Sequence, residues 1–578
     1  MKFSHFGYLP LIFAFLYSTS ACPPNQVNVL RNLDNKISNT TLTKKEIVPT
    51  PPHLPPLPVI PIKKPLLETQ NNVPGNNLKV LVLGGGYSPS GNQVSLESNV
   101  KYFRKIRNNI GLGNAHTQTY FADGREKGRD LQFFDPKFRI PQINLVFAEL
   151  FGKTKGIANQ YRSNQLNPDG SSSLKSVDHW FHLQKKVIGK QKNIIYFTGH
   201  GGKGANKTQY DTTAYLWNNA KLKVSDFVKK LDLLPIQQST ILIMVQCYSG
   251  GFANVLFQDG DPKKELSKHL RAGFFSTIQS RVAAGCTPDI REENYQEYST
   301  SFWEALSGVS RMGKNVIQPD FNSDRKTSLM EAHSYVSINS NTIDVPHKTS
   351  DVLLRKFLPD EFKKKKVPQK PTSIIGKYLP NLFKNNDLLP KNTEEIEIST
   401  ISKADLLQLA NPEEKAVFLG LSKKLGLKQN LPDKELKSLI EKFKKEREEI
   451  QKKKKSALDQ KNKYRDSLRK KLLSQYPEIS NPYHPTTILL LSTDQKEEIL
   501  EIVKKEQIWE KLKGEKEKVE SFESQRFAIE KKEVKIMRLK KCMENIILAH
   551  KLLQKASPEQ INRYNQLLQL ERTVLTKN

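Results

Sequence analysis

Four short strand-like runs, three of them strongly apolar, are separated by helix-forming stretches and set the tightest limit on how this chain folds. Residues 78–83 run into Gly84, Gly85 and Gly86, and residues 117–121 close on Asp123-Gly124. Residues 193–198 and 240–245 are two further runs, rich in isoleucine, valine and aromatic residues. Runs apolar at nearly every position fit strands buried on both faces of a parallel sheet. Helical patterns lie between them, at residues 96–107 and 224–231. Such alternation predicts right-handed βαβ crossovers, and sheets built this way bind ligands beyond the carboxyl ends of their strands.

The rest of the chain frames that region. A length of 578 residues allows two to four domains at roughly 100–200 residues each, and 37% hydrophobic content excludes a multispanning membrane protein. Residues 1–22 carry Lys2, an apolar run over residues 8–17 and then small residues, the order of a secretory signal. Cys22 follows Ser18-Thr19-Ser20-Ala21, which resembles a bacterial lipobox with Thr19 where leucine is usual; lipidation of Cys22 and ordinary cleavage near Ala21 both remain open. Export would place the protein in the periplasm, on the outer membrane or outside the cell. Residues 23–76, dense in proline from Pro49 to Pro65, read as an extended linker. Residues 77–360 form the α/β domain, and residues 361–400, opening on Lys363 to Lys366, a second linker. Residues 401–578 hold 40 basic and 27 acidic residues and read as a Lys/Glu-rich, antiparallel helical domain. Its helices are expected over residues 433–472, 494–513 and 515–554, interrupted by Pro477, Pro482 and Pro485.

Two strand ends carry reactive side chains. One run ends in Thr198-Gly199-His200-Gly201-Gly202, the other in Gln246-Cys247-Tyr248-Ser249-Gly250-Gly251. The 47 residues from His200 to Cys247 suit a single crossover between neighbouring strands. A thiol becomes an effective nucleophile beside a base, and histidine supplies that base and later protonates a leaving amine. Gly201, lacking a Cβ, admits a sharp turn and close approach of substrate, so the N–H groups of Gly201 and Cys247 are candidate oxyanion donors.

The paired pattern, apolar strand–Gly-His-Gly and apolar strand–Gln-Cys-Tyr-Ser-Gly, resembles the caspase/legumain-type cysteine peptidases, in their legumain branch and as an exported bacterial member. It departs from them at Gly199, where aspartate is common, and at Gln246, where alanine is usual. The likeness covers residues 78–357. It implies a caspase-like three-layer α/β sandwich with a mostly parallel sheet, a Cys247–His200 dyad and peptide-bond hydrolysis through a thioester, without a cofactor. Its specificity walls would be residues 86–97, including Asn92 and Gln93, and a strand at residues 280–287, including Ala284 and Cys286. No arginine stands in the first wall, so strict aspartate specificity is not implied. Partners would be protein or peptide substrates.

Other features read as structure. Phe302, Trp303 and Cys542 are expected in the core, Asp123-Gly124 in a turn, and Glu97 and Asp211 on the solvated surface. No cysteine pair has zinc spacing, no His-Glu-x-x-His occurs, and Gly84-Gly85-Gly86 lacks dinucleotide-loop spacing. Two other function classes compete: a pseudoenzyme scaffold whose helices bind a partner, and a basic binder of anionic surfaces through lysines 363–366 and 452–455. The +32 charge is spread along the chain without a nucleic-acid fold signature, so no nucleic-acid partner is expected.

Overall fold

The computed structural model describes residues 77–357, 403–427 and 433–575; the signal, the proline-rich linker and the linker at 361–400 lie outside them. β1 (Leu78–Gly84) leads into α1 (Val94–Ile106) and β2 (His116–Phe121). A two-stranded ribbon, β3 (Leu131–Phe133) and β4 (Gln160–Arg162), brackets α2 (Gln142–Phe151). After α3 (Leu174–Lys185) come β5 (Lys192–Thr198) and a small antiparallel sheet of β6 (His200–Gly202), β7 (Thr213–Leu216) and β8 (Ala220–Lys223). The α/β part continues through α4 (Val224–Leu231), β9 (Ser239–Met244), β10 (Arg271–Phe275), α5 (Tyr298–Ser307), α6 (Leu329–Asn339), β11 (His347–Lys348) and α7 (Thr349–Lys356).

The main sheet runs β11-β10-β9-β5-β1-β2, with every pair parallel except β10–β11. All four strand-like runs are therefore strands of one mostly parallel sheet, with the more polar run, β2, at its edge. Alternate residues feed two layers. Val80, Val82, Ile194, Tyr196, Ile241 and Ile243 pack with α1, α5 and α6, where Phe302 and Trp303 are buried as expected. Leu81, Leu83, Ile195, Phe197, Leu242 and Met244 pack with α3 and α4 on the other face. Burial of each such side chain contributes roughly 1.5–3 kcal/mol, which is why an apolar residue at every position specifies a central strand. From β1 the chain moves to β2 on one side and then crosses back to β5 on the other. That reversal makes the carboxyl ends of β1 and β5 the topological switch point of the sheet, where α/β folds bind ligands.

Three expectations need correction. Residues 280–287 are not a strand: the strand after Cys247 is β10, and the later segment is irregular, with Gly285 at φ +124° and Cys286 at φ +59°. Two successive left-handed residues cannot lie in a pleated ladder. Glu97 is not a surface carboxylate but fully buried. It accepts from Arg162 Nη1 and Nη2 (3.1 and 2.7 Å), Lys101 Nζ (2.9 Å) and the Gln165 N–H (2.6 Å). Burial pushes its carboxyl up, but these donors outweigh it and hold the group below the ordinary glutamate range. Glu97→Ala is expected to cost about 3–5 kcal/mol, because it strands a half-buried Arg162, and urea unfolding would read the loss. Asp211 is half-buried and accepts the Ser225 N–H in the first turn of α4.

The helical region comprises α8 (Lys403–Leu409), α9 (Pro412–Lys424), α10 (Asp433–Gln475), α11 (Pro485–Ser492), α12 (Gln495–Lys505), α13 (Gln507–Lys555) and α14 (Pro558–Glu571). α10 and α13 run antiparallel, since Arg447 pairs with Glu533, Lys454 with Glu523, and Leu468 and Leu472 share a core with Leu512. The helix expected over residues 494–513 is broken at Glu506, whose backbone leaves the helical region at ψ 115° and whose carboxylate pairs with Lys471. Gly514, by contrast, sits inside α13. The hairpin lies against α2, where Glu149 takes Lys461 and Lys516 together, and Cys542 is buried as expected. Leu548, Leu552, Leu567 and Leu570 of α13 and α14 join the core beneath the main sheet, so the helices and the sheet share one interior. No helix among the described residues is long and apolar enough to cross a membrane.

Candidate active site

Register brings the strand ends level: Gly84 pairs with Thr198, and Phe197 with Met244. His200 therefore emerges beside Cys247, at the carboxyl edge of two adjacent parallel strands. The contact is close. A Cβ on Gly201 would lie 2.1 Å from the Cys247 carbonyl oxygen and 2.6 Å from Gln246 Cγ, so only glycine fits there. The Val245 N–H continues the ladder onto Phe197 O (3.1 Å), and Tyr248 then turns left-handed at φ 60° into a short 3₁₀ helix, Ser249–Leu256.

Cys247 is 5% exposed; its Sγ accepts the Ala283 N–H at 3.3 Å and lies 3.9 Å from the Ala283 carbonyl oxygen. His200 is 4% exposed, with Nε2 at 2.7 Å from Gly91 O and 3.0 Å from Gln93 Oε1. Both are oxygen acceptors, so Nε2 carries the proton in the neutral ring and Nδ1 is the basic nitrogen. The Tyr87 ring stands edge-on to the imidazole, centroids 5.2 Å apart.

The other sequence-derived candidates divide by role. Gln93 touches the histidine and orients it. Asn92 faces inward: its Oδ1 accepts the Gly86 N–H (3.0 Å) and its Nδ2 donates to Asp130 Oδ2 (2.9 Å), bracing the loop that presents Gly91 and Gln93. The Ala284 N–H is engaged by Asp344 Oδ1 at 2.7 Å. Cys286 is half-buried, with Sγ 3.9 Å from Gly199 O, so its segment lies alongside the histidine strand. Among the described residues no group of three or more His, Cys, Asp or Glu is arranged to hold a metal ion.

Sequence reasoning missed the groups behind these walls. Asp130 lies beside Asp123, and burial together with the Asp123 charge pushes its carboxyl up to about 7. Asp123 is indeed in the expected turn, but it is buried. Glu297, behind Gly285, is pushed by burial up to about 7 against the opposing pull of Arg311, which donates to it and to Asn99. No spacing signals these pairings. Because the folded protein holds the Asp130 proton more tightly than the unfolded chain, stability falls as pH rises from about 4 to about 7. Asp130→Asn keeps an acceptor for Asn92 and is expected to remove that slope, raising stability at pH 8 by about 1–2 kcal/mol. Thermal unfolding between pH 5 and 8 checks it, and an unchanged slope would contradict it. Comparison with protein-family models and with curated proteins returned no match for this chain.

Proposed function

We propose that the protein is a cysteine endopeptidase of the caspase/legumain type, with Cys247 as nucleophile and His200 as general base and acid. The observation that supports this reading is the close approach of Gly201, the residue after His200, to the Cys247 carbonyl where two parallel strands end level. His200 Nδ1 takes the thiol proton as Sγ attacks a peptide carbonyl. The Gly91 carbonyl and Gln93, holding Nε2–H, orient the ring and stabilise the imidazolium that forms. The N–H groups of Gly201 and Cys247 stabilise the tetrahedral oxyanion. Collapse gives the thioester; the imidazolium protonates the departing amine, and water, deprotonated by His200, then releases the acid. The substrate chain would lie between residues 86–93 and 283–287, beside Gln93, Ala284 and Cys286. Export through residues 1–22 would direct this activity to proteins outside the cytoplasm. The test is labelling by a library of thiol-directed peptide probes: the wild type is expected to label, and a protein that neither labels nor cleaves under any condition would be a scaffold instead.

A further inference from the structure

The two sides of the cysteine are built differently. Gly201 belongs to β6 and packs on the Cys247 carbonyl, whereas Ala283, which donates its N–H to Sγ, belongs to an irregular segment, residues 281–284, outside every strand and helix. One buried anchor of that segment comes from α13, more than 240 residues further along the chain. Arg281 Nη2 donates to Glu530 Oε1 at 2.9 Å, with both side chains 5% exposed. The carbonyl of Arg281 accepts the N–H of Tyr248, the residue after the cysteine, at 2.8 Å. Arg526, one turn before Glu530, donates to its other oxygen at 3.0 Å.

At the segment's other end, Arg538 reaches from α13 onto four main-chain carbonyls: Ser337 (3.3 Å), Ser340 (2.7 Å), Thr342 (3.2 Å) and Asp344 (2.7 Å). This fan gathers the turn that carries Asp344, whose Oδ1 takes the Ala284 N–H and whose Oδ2 takes the Thr342 hydroxyl (2.9 Å). Glu530 and Arg538 are eight residues apart, about 12 Å along the helix. Between their two anchor points lies Ala283, which donates its N–H to Sγ.

We infer that α13 is a positioning element of the catalytic centre: Glu530 and Arg538 clamp residues 281–284 so that this segment meets Cys247 in one geometry. Simple adhesion between the helices and the sheet would need only side-chain packing at the surface. Here buried charged groups are spent on Arg281 and on the main chain around Asp344, and both routes end within two residues of Ala283. The inference rests on reading Cys247 as the nucleophile, but its first readout does not require activity.

Full-length wild type, Glu530→Ala, Arg538→Ala and Lys516→Gln (a control on the same helix) are compared by hydrogen exchange and by iodoacetamide alkylation of Cys247. Peptides covering residues 277–290 are expected to exchange about tenfold faster in both alanine variants and unchanged in the control. The Cys247 alkylation rate shifts with them, and kcat on any cleaved peptide falls while KM holds. Glu530→Gln, which keeps an oxygen for Arg281, restores most of the wild-type exchange. A lowered melting temperature with wild-type exchange over residues 277–290 would overturn the inference, since that is what structural docking alone gives. Should the alanine variants fail to fold, Glu530→Asp carries the same readouts: faster exchange supports the clamp and wild-type exchange refutes it. A wild type that no peptide probe labels would remove the peptidase reading and leave the exchange result standing.

Discussion

Gly201→Ala is expected to abolish turnover and to cost the fold about 2–4 kcal/mol. The added methyl would sit 2.1 Å from the Cys247 carbonyl oxygen, a main-chain atom that moves only if β6 and the end of β9 part. A separation of roughly 1 Å between reacting groups is enough to cost about a hundredfold in rate. The neighbouring glycine makes the comparison. A Cβ on Gly202 would meet the Tyr215 hydroxyl at 2.5 Å, the far end of a side chain that can swing away. Gly202→Ala is therefore expected to keep most of the labelling and stability that Gly201→Ala loses. Probe labelling with thermal unfolding on both variants gives the answer, and equal behaviour of the pair would contradict it.

His200→Ala is expected to lower kcat by about 10²–10⁴ while leaving the fold nearly intact. The imidazole contacts include Gly91 O, Gln93 Oε1 and the Tyr87 ring, and truncation removes one neutral hydrogen-bonding ring from the loop. Gln93→Ala removes one of the two oxygens holding Nε2–H and is expected to cost about tenfold, since Gly91 O remains. A histidine variant with undiminished turnover would show that the thiol is activated by another group.

What could be read from the chain and what could not follows from the range of the interactions. The strands at residues 78–84 and 239–244 are legible because a central parallel strand must be apolar on both faces. His200 and Cys247 are legible as a pair because each ends such a run beside a glycine. Glu97 was misread because its environment is set by Arg162, 65 residues away, and nothing in the spacing of residues 94–106 separates a buried glutamate from a solvated one. Residues 280–287 contain enough small and apolar residues to pass for a strand. Their path is set instead by Asp344, Glu297 and Glu530, reached through folding of distant segments. The break at Glu506 carries no proline or glycine, and the Lys471 that pairs with its carboxylate stands 35 residues away in the facing helix.

The central claim is that Cys247, paired with His200, is a reactive nucleophile. Its most direct test is to treat the wild type, Cys247→Ala and His200→Ala with a thiol-directed peptide probe and map the adduct by mass spectrometry. Among the described residues the competing thiols are half-buried Cys286 and buried Cys542, whose thiol burial pushes well above its usual range. The account predicts an adduct on Cys247 in the wild type, none in Cys247→Ala and strongly reduced labelling in His200→Ala. An adduct on Cys286 or Cys542, or labelling that survives Cys247→Ala, would contradict it.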